Sequence, residues 1–389
     1  MTAKKAPTLV VLQLTGGNDV LNTIVPYGDS LYYEHRPKVH LTPEQVLKID
    51  DRYGFNPNLA SISALYDEGK VAVLNGVGYP NPDYSHFRSM DIWYTAEPEK
   101  MATDGWLGKA VRELDPKADN VLTAVNFGRG LPRALALSGV PVASVAELDN
   151  YGLLTSLSSL SERRSAIEAF SCMYDDGWND AGHVAYRPLQ PNEMMAPVMS
   201  YMGQTGLDAR KGADILSSAV GSYTSTVEYP KTSIAGSLKS IAQVKIAGLG
   251  TRIFYAAHGS FDTHSDQLKI HGKLWKDISE AVGAFFADLR AHDEADDVVM
   301  FVWSEFGRRV LDNGSGTDHG AGGVAFLIGD PVKGGMYGDY PSMKESDLTI
   351  GNLKYTVDFR STYASILEQW LQVDARPIVG GNFEQFSVV

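Results

Sequence analysis

One cysteine in 389 residues, Cys172, rules out an intramolecular disulfide and any thiolate metal cluster. A metal held by this chain must sit on oxygen and imidazole ligands. Long apolar runs are missing as well. The longest, such as "TLVVLQL", are strand-length and fall far short of the roughly 20 residues that a membrane span needs, so no transmembrane helix is expected. Nor is there a block of lysine or arginine. With 34 basic against 47 acidic residues the formal net charge is -13, which offers no electrostatic footprint for a nucleic-acid backbone, and no nucleic-acid partner is expected. The opening "MTAKKAPTLVV" passes into a β-rich run without a small-residue cleavage site, so no signal peptide is expected and the sequence as written reads as cytoplasmic.

What is present is ordinary globular material, 44% hydrophobic and 21% charged, in a chain long enough to bury a large core. The continuous Val/Leu run in "TLVVLQLTGGND" (8–19), bounded by Gly-Gly, predicts a strand covered on both faces. "NPNLASISALYDEGKVAVLNGVGYP" predicts a helix, a glycine stop and a second strand, one βαβ step from the first. "YSHFRSMDIWYT" opens a helix with Ser85 at its start, and "NVLTAVNFGRG" gives another short strand. Later come the strand "TRIFYAAHG", a long helix from "HSDQLKIHGKLW" onward, the strands "DDVVMFVWSEFG" and "GGVAFLIGD", and a final helix, "DFRSTYASILEQWL". Strands alternating with helices predict an α/β fold with a doubly wound, mostly parallel central sheet flanked by helices. Residues from about 150 to 240 turn to Ser-, Met- and Tyr-rich helical segments, expected to be a helical insertion or cap on a single domain spanning 1–389.

In such sheets ligands bind at the carboxyl ends of the strands. The chemically able residues fall there: Asp19 after the first strand, Ser85 after the second, Asp262 and His264 after "TRIFYAAHG", Glu305 after "VVMFVWS", and Asp318 and His319 just before "GGVAFLIG". Four carboxylates and two histidines converging on one edge repel each other and lose hydration unless a cation sits among them. A divalent ion on such ligands activates a water or serine and neutralises charge on a phosphoryl or sulfuryl group. Ser85, at a helix start, has the local field and backbone donors that a nucleophile on an anionic ester needs. It also fits a plain helix cap.

The segments "LQLTGGNDVLNTIVPYGD", "YSHFRSMDIW", "GSFDTHSDQ", "WSEFGRR" and "TDHGAGGVAFLIG" resemble those of the bacterial family domain of unknown function 1501, which is grouped with the alkaline phosphatase and sulfatase superfamily. The resemblance implies an alkaline-phosphatase-like three-layer sandwich. It also implies that Asp19 is similar to an aspartate that helps hold one metal and that Ser85 matches the nucleophile. Asp262 resembles the first aspartate of a second metal pair, with His264 two residues later rather than four, and His319 resembles a late histidine ligand. Where the superfamily has Asp-His after a strand, this chain has Glu305-Phe306. Glu305 can stand for the aspartate, but Phe306 cannot ligate a metal, which weakens a second metal site built from Asp19, Ser85 and Glu305. His86 or His258 is the candidate to replace the missing histidine in space. Asp318 is either a ligand or the group that holds His319 in its tautomer. His86, Arg308 and Arg309 are expected to contact an anion, the arginines as planar donor forks. Relatives of this kind often carry a twin-arginine export leader.

His35, His40, His183, His271 and His292 read as packing or surface residues. "YGDSL" (27–31) and Asp180 to His183 imitate another serine-hydrolase pattern, but the first strand exits at Gly16 and a long stretch follows His183, so these strings are set aside. The expectation is a metal-dependent hydrolase of phosphate or sulfate esters. Its metal site is Asp262, His264 and His319 with Asp318, its divalent metal is zinc ahead of manganese, calcium or magnesium, and its substrate is a small anionic ester or a sulfated or phosphorylated glycan. The rival is a non-catalytic anion- or glycan-binding protein on the same fold with a degenerate site.

Overall fold

The apolar runs become strands in this order: β1 Thr8–Leu14, β2 Ile24–Val25, β3 Leu47–Lys48, β4 Gly54–Phe55, β5 Val71–Gly78, β6 Ala124–Phe127, β7 Ala143–Val145, β8 Ile253–His258, β9 Val298–Ser304, β10 Gly323–Ile328, β11 Gly335–Tyr337 and β12 Val357–Asp358. The computed structural model describes residues 5–145 and 223–389, with a few isolated positions between them. Nine strands form one sheet in the order β11-β5-β10-β9-β1-β8-β6-β7, with β12 also paired to β5, and β2-β4-β3 form a small second sheet. All pairings in the large sheet are parallel except those of β10, which runs antiparallel to both β5 and β9.

Period-two alternation along buried strands divides the core into two halves. Val10, Leu12 and Leu14 of β1 pack on one side with Ile62 of α2 (Ala60–Asp67), Leu238 of α5 (Ser233–Ile246) and Phe285 of α6 (Gln267–Ala291). Leu9 and Val11 face the other side, against Trp93 of α3 (His86–Thr95), Leu107 of α4 (Trp106–Leu114) and Tyr363 of α7 (Phe359–Ser365). The short helix α1 is Ser30–His35. Burying each such Leu, Val or Phe contributes roughly 1.5–3 kcal/mol, so both faces of the sheet help to hold it between its helices. The result is a mixed, mostly parallel sheet flanked by helices, three layers in all.

One expectation needs correcting. β1 and β5 are not neighbours in a simple βαβ step, because β9 and β10 lie between them. Most of the expected insertion at 150–240, with His183 and the Asp180 string, lies outside the described residues. The end of it that is described includes α5, which packs on the sheet. Among the described residues no helix is long and apolar enough to cross a membrane.

Candidate metal centre

The carboxyl ends of β1, β5, β8 and β9 meet the entering end of β10, and this meeting builds the site. A residue that precedes a parallel strand lies at the opposite edge of the sheet. His319 reaches the carboxyl edge because β10 is antiparallel. A short ladder fixes it there: Arg308 and His319 form an isolated antiparallel bridge, Arg309 N donates to Asp318 O at 2.9 Å, and Gly307 N to Ala321 O at 3.0 Å. The Gly-Gly exit of β1 is equally constrained. Gly16 has φ +118° and Gly17 φ +80°, and an added Cβ would lie 2.3 Å from the Asp262 backbone nitrogen or 2.3 Å from the Phe306 ring. Only glycine lets the β1 exit close against both loops.

Four side chains converge above these loops. One ligand atom from each of His86, Asp262 and His319 lies within 4.8 Å of the others. His319 Nε2 is 3.1 Å from His86 Nε2, 3.1 Å from His264 Nε2 and 3.1 Å from Asp262 Oδ1. Asp262 Oδ1 is 2.9 Å from His264 Nε2, and Asp262 Oδ2 is 3.5 Å from His86 Nε2.

The partners of the three Nδ1 atoms decide what these Nε2 atoms present. His319 Nδ1 meets the Tyr84 carbonyl at 2.8 Å, His86 Nδ1 the Glu305 carboxylate at 2.8 Å, and His264 Nδ1 the Asp318 carboxylate at 3.0 Å. Carbonyl and carboxylate oxygens only accept, so each Nδ1 donates and each neutral ring turns an Nε2 lone pair toward the others. Two lone pairs and a carboxylate oxygen, each 3.1 Å from His319 Nε2, repel its own lone pair unless a cation lies among them. Tetrahedral zinc with nitrogen ligands near 2.0–2.1 Å needs ligand atoms about 3.3 Å apart, close to the 3.1 Å that separates His319 Nε2 from His86 Nε2, His264 Nε2 and Asp262 Oδ1. A backbone or carboxylate acceptor on the far nitrogen of each ring is what metal-binding histidines require. The donor set fits a divalent ion of zinc type.

Arg308 is buried and donates to Asp262 Oδ1 at 2.7 Å, to Gly16 O at 3.2 Å and to the Thr317 carbonyl. Burial works against the charge of Asp262, but the hydrogen bond and charge of Arg308, with His264 and His319 beyond it, hold its carboxyl below the usual range. The hydrogen bond from His264 likewise lowers Asp318. On His86 the Glu305 hydrogen bond outweighs burial and, with the charges of Glu305 and Asp262, raises the imidazole. Protons and a divalent cation therefore compete for the same lone pairs.

The other expected residues are placed as follows. Asp19 does not face this cluster. It is buried in an ion pair with Arg36, which donates through NH1 to Oδ2 and through NH2 to Oδ1 at 2.9 Å, and Gln267 donates to it as well. Burial alone would raise its carboxyl, yet the charge and hydrogen bonds of Arg36 hold it low. Glu305 is buried too, its Oε1 taking Gly16 N and His86 Nδ1, each at 2.8 Å. An ion between Asp19, Ser85 and Glu305 therefore has no free carboxylate to bind. Asp318 orients His264 rather than His319. Arg308 is not a free anion clamp, since Asp262 and two carbonyls engage it, whereas Arg309 is exposed with no side-chain partner among the described residues. Ser85 is exposed at the start of α3, and its side chain makes no capping hydrogen bond.

His86, expected to contact an anion, instead stands in the ligand cluster, where the sequence lacks a histidine after Glu305. Phe306 packs under it, ring centroids 4.9 Å apart, and under His319 at 5.0 Å, so the aromatic residue floors the site. His258 does not join the cluster, and its Nε2 is buried without a partner among the described residues. Sequence reasoning missed Arg36 and the Tyr84 carbonyl. Neither has a motif: one is a lone arginine in a loop and the other is backbone.

Among curated proteins, none matches the chain. Solved structures of similar course include Ps i-CgsB (9% identity, 98% of this chain and 73% of that one, TM-score 0.38). Others are the PsFucS1 sulfatase from Pseudoalteromonas sp. (13%, 98% and 71%, TM-score 0.38) and the phosphonate monoester hydrolase SpPMH from Silicibacter pomeroyi (9%, 98% and 78%, TM-score 0.37). The chemistry of the site stands on its own geometry. The family described as "Protein of unknown function (DUF1501)" matches residues 193–378. Over that stretch, which carries Asp262, His264, Glu305, Asp318 and His319, the chain is similar to that family.

Proposed function

We propose that the chain is a metal-dependent hydrolase of phosphate or sulfate esters. The observation that carries this reading is the meeting of three imidazole Nε2 atoms with the Asp262 carboxylate, Oδ1 for His264 and His319 and Oδ2 for His86, at 2.9–3.5 Å, each ring held from behind by an acceptor. Imidazole-rich O/N sets suit zinc better than magnesium or calcium, with manganese the next choice. His86, His264, His319 and Asp262 would hold one ion, which when bound supplies a Lewis acid for the anionic ester oxygens and an activated nucleophile.

The chain's own residues supply the rest. Glu305, Asp318 and the Tyr84 carbonyl keep each ring in the tautomer that ligates, and Arg308 holds Asp262 in place. Ser85, between Tyr84 and His86, has an uncapped hydroxyl at the positive end of a ten-residue helix, the position for a nucleophile or for orienting an attacking water. Arg309 lies one residue beyond Arg308 and is free to hold an anionic oxygen. In the net reaction, water adds to phosphorus or sulfur, the ester oxygen leaves with a proton, and the acid anion is released.

The test is turnover of p-nitrophenyl phosphate and p-nitrophenyl sulfate by the full chain with zinc added back after chelation. Zinc-dependent release of nitrophenol that is lost in His319→Ala supports the reading. Tight zinc binding with no turnover of either ester would favour the rival, an anion-binding protein.

A further inference from the structure

The segments that hold the cluster, the start of α3 among them, also present large apolar side chains to water. Phe87, next to His86, is 85% exposed, Ile350 is 75% exposed and Leu311 is 56% exposed. Hydrogen bonds tie their three segments together around the centre. Asn352 Nδ2 donates to Tyr84 Oη at 3.2 Å and to Ile350 O at 3.2 Å, and the carbonyl of the same Tyr84 holds His319. Val310 N donates to Gly351 O at 3.4 Å, which sets Leu311 beside the Ile350 turn.

Ile350 carries a second oddity. Its φ is +53°, a left-handed conformation that β-branched side chains rarely adopt. A residue that is both strained and exposed adds nothing to stability, and such residues cluster at binding sites. Arg309, exposed and without a side-chain partner among the described residues, belongs to the same ladder of loops. In a chain of net charge -13, this rim thus sets the Arg309 guanidinium and an imidazole-rich centre beside apolar surface.

We infer that Phe87, Leu311 and Ile350 form an apolar leaving-group subsite, so that the ester cleaved is one of an alkyl or aryl alcohol rather than of a polar sugar. The anionic head would meet the metal centre and Arg309, and the apolar alcohol would lie across the rim. This rests on the hydrolase reading above and specifies its substrate class.

The test uses non-hydrolysable sulfonates on the zinc-loaded full chain. Methane-, butane- and octanesulfonate are titrated by calorimetry, with and without chelator. Each methylene buried on the rim is expected to tighten binding about fourfold. Ile350→Gly, which keeps the left-handed turn without strain, and Leu311→Ser are each expected to flatten that series, and Ile350→Gly also to raise Tm. Zinc-dependent binding of methanesulfonate with no dependence on chain length would overturn this inference alone. Chain-length dependence that persists unchanged in chelator would uphold the subsite and contradict the hydrolase reading. No binding of any sulfonate would overturn both.

Discussion

Replacing Glu305 by alanine removes the acceptor that holds His86 from behind. The carboxylate takes His86 Nδ1 and Gly16 N, both at 2.8 Å, and it is buried, so no water stands ready to take its place. Without it the His86 ring is free to turn or to carry its proton on Nε2, the atom aimed at the other ligands. Loss of such an outer hydrogen bond weakens metal affinity by about 10- to 100-fold, equivalent to about 1.4–2.7 kcal/mol. Glu305→Gln keeps an acceptor of the same shape without the charge and is expected to fall between wild type and alanine. The assay is competition for zinc against a chelating dye. The cobalt(II) absorption spectrum gives a second readout of ligand geometry, and circular dichroism verifies that the Gly16 turn still folds. An alanine variant that is folded and binds zinc as tightly as wild type would refute the reasoning.

Asp19→Ala leaves Arg36 as a buried unpaired charge and is expected to destabilise the fold by about 3–5 kcal/mol. Urea unfolding should show the same loss with and without chelator, and a loss seen only in zinc-loaded protein would return Asp19 to the ligand set. His271 is buried against Asn18 and Trp275, and burial pushes its imidazole down to about 4. The unfolded chain takes up that proton near pH 6.5, so the stability held above pH 6.5 is lost as pH falls toward 4, by about 3 kcal/mol in all. Urea midpoints in chelator should therefore fall more steeply with acid for wild type than for His271→Gln, and parallel curves would contradict the assignment.

The edge of the sheet that bears the site is legible in the sequence because buried strands announce themselves as Val/Leu runs and their exits carry Gly, Asp and His. Asp262, His264 and His319 could be picked out in that way. The direction of β10 could not, since period and composition are the same for parallel and antiparallel strands, yet that direction alone explains why a histidine before a strand reaches the others. The place of Asp19 was equally hidden. A carboxylate after Gly-Gly looks free to bind an ion until the fold brings Arg36 from a separate loop to cover it. His86 was visible as a helix-start histidine that could contact an anion or, like His258, replace the histidine missing after Glu305, and no local pattern chose between the two. Its position over Phe306 follows from α3 and the β9 exit packing side by side, a long-range fact that no local pattern carries.

Metal stoichiometry tests the central claim most directly. The purified chain, reconstituted with zinc and desalted, is measured by elemental mass spectrometry beside His264→Ala and His319→Ala. The geometry predicts one ion per wild-type chain, lost or strongly weakened in both variants. No retained metal in wild type, or equal metal in all three proteins, would contradict a centre built on these histidines.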